Sequence, residues 1–174
     1  MTHHTTPIPG QLAPLIEAHN HEGNAFALPA TPDNKMTAIF FYRGIHCPIC
    51  KKQIEELARR QGEFRDLGVD VAAISMDERE RFDRQQQEWD LGDLHVGHNL
   101  SEDAARAWGL FISDKEKDAE PARFAEPGIA VLYPDGRIYS LYLQNVPFAR
   151  PTVDDLLSGL KFILKNDYPI RGMA

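Results

Sequence analysis

The sequence predicts an α/β fold, a central mixed β-sheet flanked by helices on both faces. Three observations carry this prediction. From Lys35 onward, short apolar runs alternate with longer amphipathic segments, as strands alternate with helices. Pro134-Asp135-Gly136 separates two strand-like runs, so a hairpin adds antiparallel strands to otherwise parallel ones. The 174 residues, 43% hydrophobic and 26% charged, suit one domain with a sizeable core.

The elements follow in order. Residues 1–34, rich in Pro, His, Thr and Asn, read as an extension packing on a domain of residues 35–174. Gln11–His19 suggests a short helix broken by Pro14, and Ala25–Pro32 an extended turn segment. Met36–Tyr42 (MTAIFFY) is nearly all apolar, as in a strand covered on both faces. A helix is expected from Cys47 to about Gly62. Pro48 suits its first turn, Ile49, Ile54 and Leu57 can line its inner face, and its charged residues can face water. Gly68–Met76 is a second buried strand. Asp77 is a natural N-cap for a polar helix over Asp77–Asp90, with Phe82 and Trp89 one heptad apart. Leu94–Leu100 suggests a third strand, and Ser101 caps a short helix ended by Gly109. Phe111–Glu126 reads as a long, charged, Pro-interrupted loop, a length that points to function. The hairpin strands are Gly128–Tyr133 and Arg137–Leu143. Gln144–Pro151 is a linker, and Thr152 caps a last helix to about Asn166.

Charge and hydropathy exclude several functions. Nineteen basic against 26 acidic residues leave a net charge of −7, which disfavours nucleic acid or an anionic membrane as partner. No apolar run is long enough to span a bilayer. The start, MTHHTTPIPG, lacks the pattern of a secretory signal, so a cytoplasmic protein is expected.

The only two cysteines stand as Cys47-Pro48-Ile49-Cys50, where a buried strand gives way to a helix. In a reducing compartment such a pair is catalytic or metal-binding rather than a structural staple. A helix N-terminus offers unpaired N–H groups and partial positive charge, and both favour the thiolate. Cys47 is the expected nucleophile, with a pKa of roughly 3.5–7.5 for this motif. Cys50, one turn on, is within reach to resolve a mixed disulfide. His46 and Lys51 can add positive potential, and His46, titrating near neutrality, can shuttle a proton. A metal reading stays open. It needs two further ligands, and His3, His4, His19, His21, His95 and His98 offer only the loose pairs His19-x-His21 and His95-x-x-His98. Trp89, Trp108, Tyr133, Tyr139 and Tyr142 fit packing roles, and Asp114–Glu120 a solvated loop.

Four stretches between about Phe26 and Leu164 carry a family resemblance: "FYRGIHCPIC", "VDVAAISMD", "SEDAARAWGL" and "EPGIAVLYPDGRI". In this order they resemble the thioredoxin fold and, more closely, the peroxiredoxin-like branch of the alkyl hydroperoxide reductase/thiol-specific antioxidant (AhpC/TSA) family. The resemblance implies a cis-proline at Pro127, facing the Cys pair, with the backbone at Glu126 open to an extended substrate. If the Phe111–Glu126 loop folds over Cys47, Arg123 and Phe124, just before Pro127, would shape the mouth of the site. The departures are equally specific. Peroxiredoxins carry Thr or Ser three residues before the reactive cysteine, Pro seven before, and Arg at the start of the facing strand. Here those positions hold Gly44, Phe40 and Pro127. Arg43, at the same strand end, is the candidate substitute; its other reading is a surface residue paired with a carboxylate. Thioredoxins place a buried Asp six residues before the first Cys and Trp immediately before it; here stand Phe41 and His46.

The resulting expectation is a thiol-dependent redox enzyme. Cys47 attacks, Cys50 resolves, and no cofactor is needed beyond the Cys47–Cys50 disulfide and an external thiol donor such as thioredoxin, glutaredoxin or glutathione. Substrates would be disulfides or hydroperoxides. A peroxidase passing through a Cys47 sulfenate is the neighbouring reading. A redox-sensing or metal-binding module using the same pair is the non-enzymatic one. Relatives commonly dimerise, and a homodimer is compatible with the sequence.

Overall fold

A computed structural model of the chain describes residues 6–174. His3 and His4 lie outside these residues. Eleven elements follow one another: β1 (Met36–Phe41), α1 (Pro48–Asp66), β2 (Val69–Ile74), α2 (Arg79–Glu88), β3 (His95–Gly97), α3 (Glu102–Ala107), β4 (Ile112–Asp114), β5 (Arg123–Ala125), β6 (Gly128–Leu132), β7 (Ile138–Leu143) and α4 (Val153–Asn166). Five strands form a mixed sheet in the order β3-β2-β1-β6-β7. β1 pairs β2 in parallel and β2 pairs β3 in parallel, while β6 runs antiparallel to both β1 and β7.

The continuous apolar character of the central strands is explained by two cores. Side chains alternate across a strand, so a strand buried on both faces must be apolar throughout. Met36, Ala38 and Phe40 join Val69, Val71, Ala73, Ile129 and Val131 on one face. They pack against Ile54 and Leu57 of α1, Phe82 of α2 and Leu156 and Leu160 of α4. Ile39, Phe41, Ala72, Ile74, Ala130 and Leu132 point the other way, onto Ala104 and Ala105 of α3 and onto Trp108. Ala18 and Phe26 of the N-terminal segment complete that second core.

Several local expectations are corrected. Gln11–His19 is not helical. Its backbone is drawn into pairing with the sheet region instead: Ala13 N–H donates to the Gly136 carbonyl and His19 N–H to that of His98. Pro14 could not have donated within a helix in any case. The inner face of α1 is formed by Cys50, Ile54, Leu57, Ala58 and Phe64, whereas Ile49 is exposed. The helix also runs beyond Gly62 to Asp66. Asp77 does not cap α2, whose N-cap is Glu78 without a side-chain bond. Phe111–Glu126 is not an open loop. It contains the antiparallel pair β4–β5, with Ser113 opposite Phe124. The hairpin and the last helix match expectation, and Thr152 and Asp155 form a reciprocal capping box at the start of α4.

Candidate active site

β1 ends at Phe41, and the turn through Arg43-Gly44-Ile45-His46 delivers Cys47 to the start of α1. Gly44 adopts φ +131°, a conformation L side chains avoid, and a Cβ there would lie 2.5 Å from the Asp77 carboxylate. That carboxylate, fully buried as a side chain, accepts the Ile45 N–H at 2.7 Å and pairs with Arg81 at 3.0 Å. It thus clamps the turn from the neighbouring strand end. Burial pushes its own carboxyl pKa upward, opposed by the Ile45 N–H and Arg81.

Cys47 is the N-cap of α1. Its sulfur accepts the Cys50 N–H at 3.2 Å, and its carbonyl accepts the Lys51 N–H. Both cysteines are free thiols and buried, Cys47 2% exposed and Cys50 not at all. The Cys50 thiol and backbone N–H bring the Cys47 pKa down to about 6, with help from Arg150 and Arg43 and against the cost of burial. Burial and the neighbouring Cys47 sulfur drive the Cys50 pKa well above the ordinary thiol range. The pair is therefore polarised: the Cys47 thiol gives up its proton the more readily and the Cys50 thiol the less.

The residues around the pair differ from expectation in instructive ways. His46 is pushed down to about 4 by burial and by the positive charges of Arg43 and Arg81. It is neutral near pH 7, so it does not supply there the positive potential expected of it. Its ring packs edge-on against Phe124 at 4.7 Å. Arg43 also stacks on Phe124, and its guanidinium pairs with Glu126 at 3.1 Å and Glu120 at 3.5 Å. Arg43 is thus carboxylate-paired, as one sequence reading expected, but it is largely buried and not a surface residue. Lys51 turns away from the sulfurs, bonding the Glu88 carbonyl.

Pro127 is buried, but no cis peptide bond occurs among the described residues, so the Glu126–Pro127 bond is trans, contrary to the resemblance. The chain passes from one extended pairing to the next: Glu126 N–H bonds the Phe111 carbonyl, and the Pro127 carbonyl accepts the Gln144 N–H. A trans bond continues such a run at lower cost. The Glu126 amide is thereby already engaged, and its carboxylate, 3% exposed, also accepts the Ser113 hydroxyl. Glu126 is therefore a partner of Arg43 and not an open substrate-docking position. Arg123 pairs with Glu102 and Asp114 on the outer side of the β4–β5 hairpin, away from the cysteines. Phe124 alone of the expected mouth residues turns inward toward the site.

Phe41, at the thioredoxin aspartate position, packs on Trp108 in the opposite core and offers no carboxylate. What reaches Cys50 instead is Arg150, from the segment read as a linker. Its guanidinium stands 3.4 Å from the Cys50 sulfur. The sequence held one hint of this: an arginine confined between Pro147 and Pro151, just ahead of a helix cap. Among the described residues no three His, Cys, Asp or Glu side chains gather as a metal site would require.

A family model described as the AhpC/TSA family matches residues 9–140. No curated protein matches the sequence. Solved structures match along most of the chain. A peroxiredoxin-like protein from Aquifex aeolicus superposes with a TM-score of 0.69 at 13% identity, covering 90% of this chain and 86% of the other. The reduced 2-Cys peroxiredoxin of Plasmodium vivax gives 0.71 at 15%, covering 92% and 84%. Reduced Prx3 from Vibrio vulnificus, solved in complex with H2O2, gives 0.72 at 13%, covering 89% and 99%. At these identities the likeness is one of fold, the thioredoxin-like fold of peroxiredoxins.

Proposed function

The chain belongs to the AhpC/TSA family, and on that premise we propose that it is a two-cysteine redox enzyme reducing disulfides through Cys47 and Cys50. The observation that carries this reading is the polarised pair. A thiolate-prone Cys47 caps α1, and the Cys50 thiol and amide both turn to its sulfur. The Cys47 thiolate attacks one sulfur of a disulfide RSSR, and RS⁻ departs and takes up a proton. Cys50 then loses its proton and attacks the Cys47 sulfur, releasing the second RS⁻. The products are two RSH and the Cys47–Cys50 disulfide, which an external dithiol donor reduces in the reverse sense. Burial of both sulfurs favours small disulfides over folded protein partners.

One observation favours a second substrate class. A nucleophile 2% exposed suits a reactant as small as a hydroperoxide. Against it, no hydroxyl stands at Gly44 and no guanidinium at Pro127. Arg43, the remaining candidate to polarise a peroxide, is held by two carboxylates.

The test is a Cys50→Ser variant exposed separately to a small disulfide and to hydrogen peroxide. Disulfide reduction predicts a long-lived mixed disulfide on Cys47, with peroxide reacting no faster than with a free thiol. Rapid accumulation of a Cys47 sulfenate would move the assignment to the peroxidase. Full turnover in Cys47→Ser would overturn both.

A further inference from the structure

Arg150 is placed with more care than a linker residue requires. Its Nε and Nη2 both donate to the Pro147 carbonyl, at 2.9 and 2.8 Å, and Nη1 donates to Gln53 Oε1 at 2.7 Å. Gln53, one turn beyond Cys50 on α1, returns a bond to the Pro151 carbonyl at 3.2 Å. Ala149, the preceding residue, takes φ +53°, a left-handed conformation that L residues other than Asn and Asp rarely adopt. The segment bends through this strained residue and fixes the guanidinium with three hydrogen bonds to two acceptors. Nη2 is left 3.4 Å from the Cys50 sulfur. No carboxylate pairs with Arg150 among the described residues, whereas Arg43, Arg60 and Arg81 are all paired.

We infer that Arg150 is a catalytic residue of the resolving half-reaction, stabilising the Cys50 thiolate each time it forms. This inference rests on the two-cysteine reading of the site. Cys50 is anionic twice in the cycle. It must shed its proton before attacking the Cys47 sulfur, and it departs as thiolate when a donor thiolate attacks Cys47 in the Cys47–Cys50 disulfide. A buried thiolate with no cation beside it is costly. Thioredoxins assist their second cysteine with a buried carboxylate base; here that position is Phe41, in the other core. Arg150 supplies the alternative, an electrostatic partner for the anion. Among the described residues, the charged or titratable groups facing Cys50 are Cys47 and Tyr42, at the start of α1 and just after β1, and Arg150. Burial holds Tyr42 far above its ordinary range, and its hydroxyl exchanges hydrogen bonds with Gln85. Arg150 is the one permanent positive charge among them.

The test uses Arg150→Met, which keeps the stem and removes the charge, and Arg150→Lys, which restores the charge without the fork. First, the Cys50 titration is followed by thiolate absorbance in a Cys47→Ser background, which needs no assumption about substrate. Arg150→Met is expected to raise the midpoint by about one unit or more, a tenfold loss of thiolate at a given pH, and Arg150→Lys to recover most of it. Second, single turnovers of otherwise intact protein with a small disulfide separate attack by Cys47 from closure of the Cys47–Cys50 bond. Arg150→Met is expected to slow closure at least about tenfold while slowing attack much less. An unchanged Cys50 midpoint in Arg150→Met overturns the inference, and so does a Lys variant as impaired as the Met variant. If wild type gives no turnover yet the Cys50 midpoint shifts, the electrostatic role stands and the enzymatic reading fails.

Discussion

The lowered pKa of Cys47 comes from its position more than from neighbouring side-chain charge. As N-cap it meets the backbone N–H of Cys50, and the Cys50 thiol adds a second donor. The charged residues nearest in sequence contribute less than their types suggest, since His46 is neutral and Arg43 is committed to Glu126 and Glu120. This gives a direct expectation. Alkylation of Cys47, followed from pH 4 to 9, should rise with a single midpoint near 6. His46→Gln should leave that midpoint within about half a unit, because a group already uncharged at pH 6 removes no charge when replaced. A midpoint that climbs a full unit in His46→Gln would return the imidazolium to the mechanism. The two cysteines were legible in the sequence because their geometry is local, three residues along one helix. Arg150 was not, because it meets Cys50 across 100 residues, and no short pattern encodes that meeting.

At the scale of elements, the site is a junction held by its neighbours. The β1–α1 turn needs Gly44 for two independent reasons, its φ of +131° and the Asp77 oxygens 2.5 and 2.6 Å from where a Cβ would be. Asp77 has little freedom to retreat, because Ile45 N–H and Arg81 hold its carboxylate. Gly44→Ala should therefore cost roughly 2–4 kcal/mol, strain and overcrowding together, read as a lower urea midpoint. Gly62 makes the control. It lies inside α1 with nothing within 4 Å of its would-be Cβ, so Gly62→Ala should stabilise by about 0.5–1 kcal/mol. Equal effects of the two substitutions would mean the turn is not clamped as described. Elements built from long apolar runs, β1, β2, β6 and β7, were legible because burial on one or both faces dictates their composition. β4 and β5 were not, being three residues each inside a charged stretch. Nor was the true service of Asp77: a local pattern reads it as a cap, while its partner Ile45 comes from another element, 32 residues away.

Across the whole molecule, the depressed thiol couples redox chemistry to stability. In the folded protein Cys47 ionises near 6, while in the unfolded chain it returns to the ordinary range near 9. Between those values the unfolded state binds more protons than the folded one, so stability rises with pH. The contribution is present above the unfolded value and is lost as pH falls through 6. Other shifted groups act elsewhere. His46 and His98, both lowered by burial, act on the acid side, and Cys50, raised in the folded state, opposes the trend only as pH nears 9, equally in wild type and in Cys47→Ser. The difference in unfolding free energy between reduced wild type and Cys47→Ser should therefore grow in favour of wild type from pH 6.5 to 8.5. Its slope can be no steeper than about 1.4 kcal/mol per pH unit, the limit for one proton. In the oxidised protein neither sulfur carries a titrating proton, so the slope should vanish there. A difference that stays flat in the reduced state would mean that the fold does not prefer the Cys47 thiolate, and the nucleophile assignment would lose its physical basis.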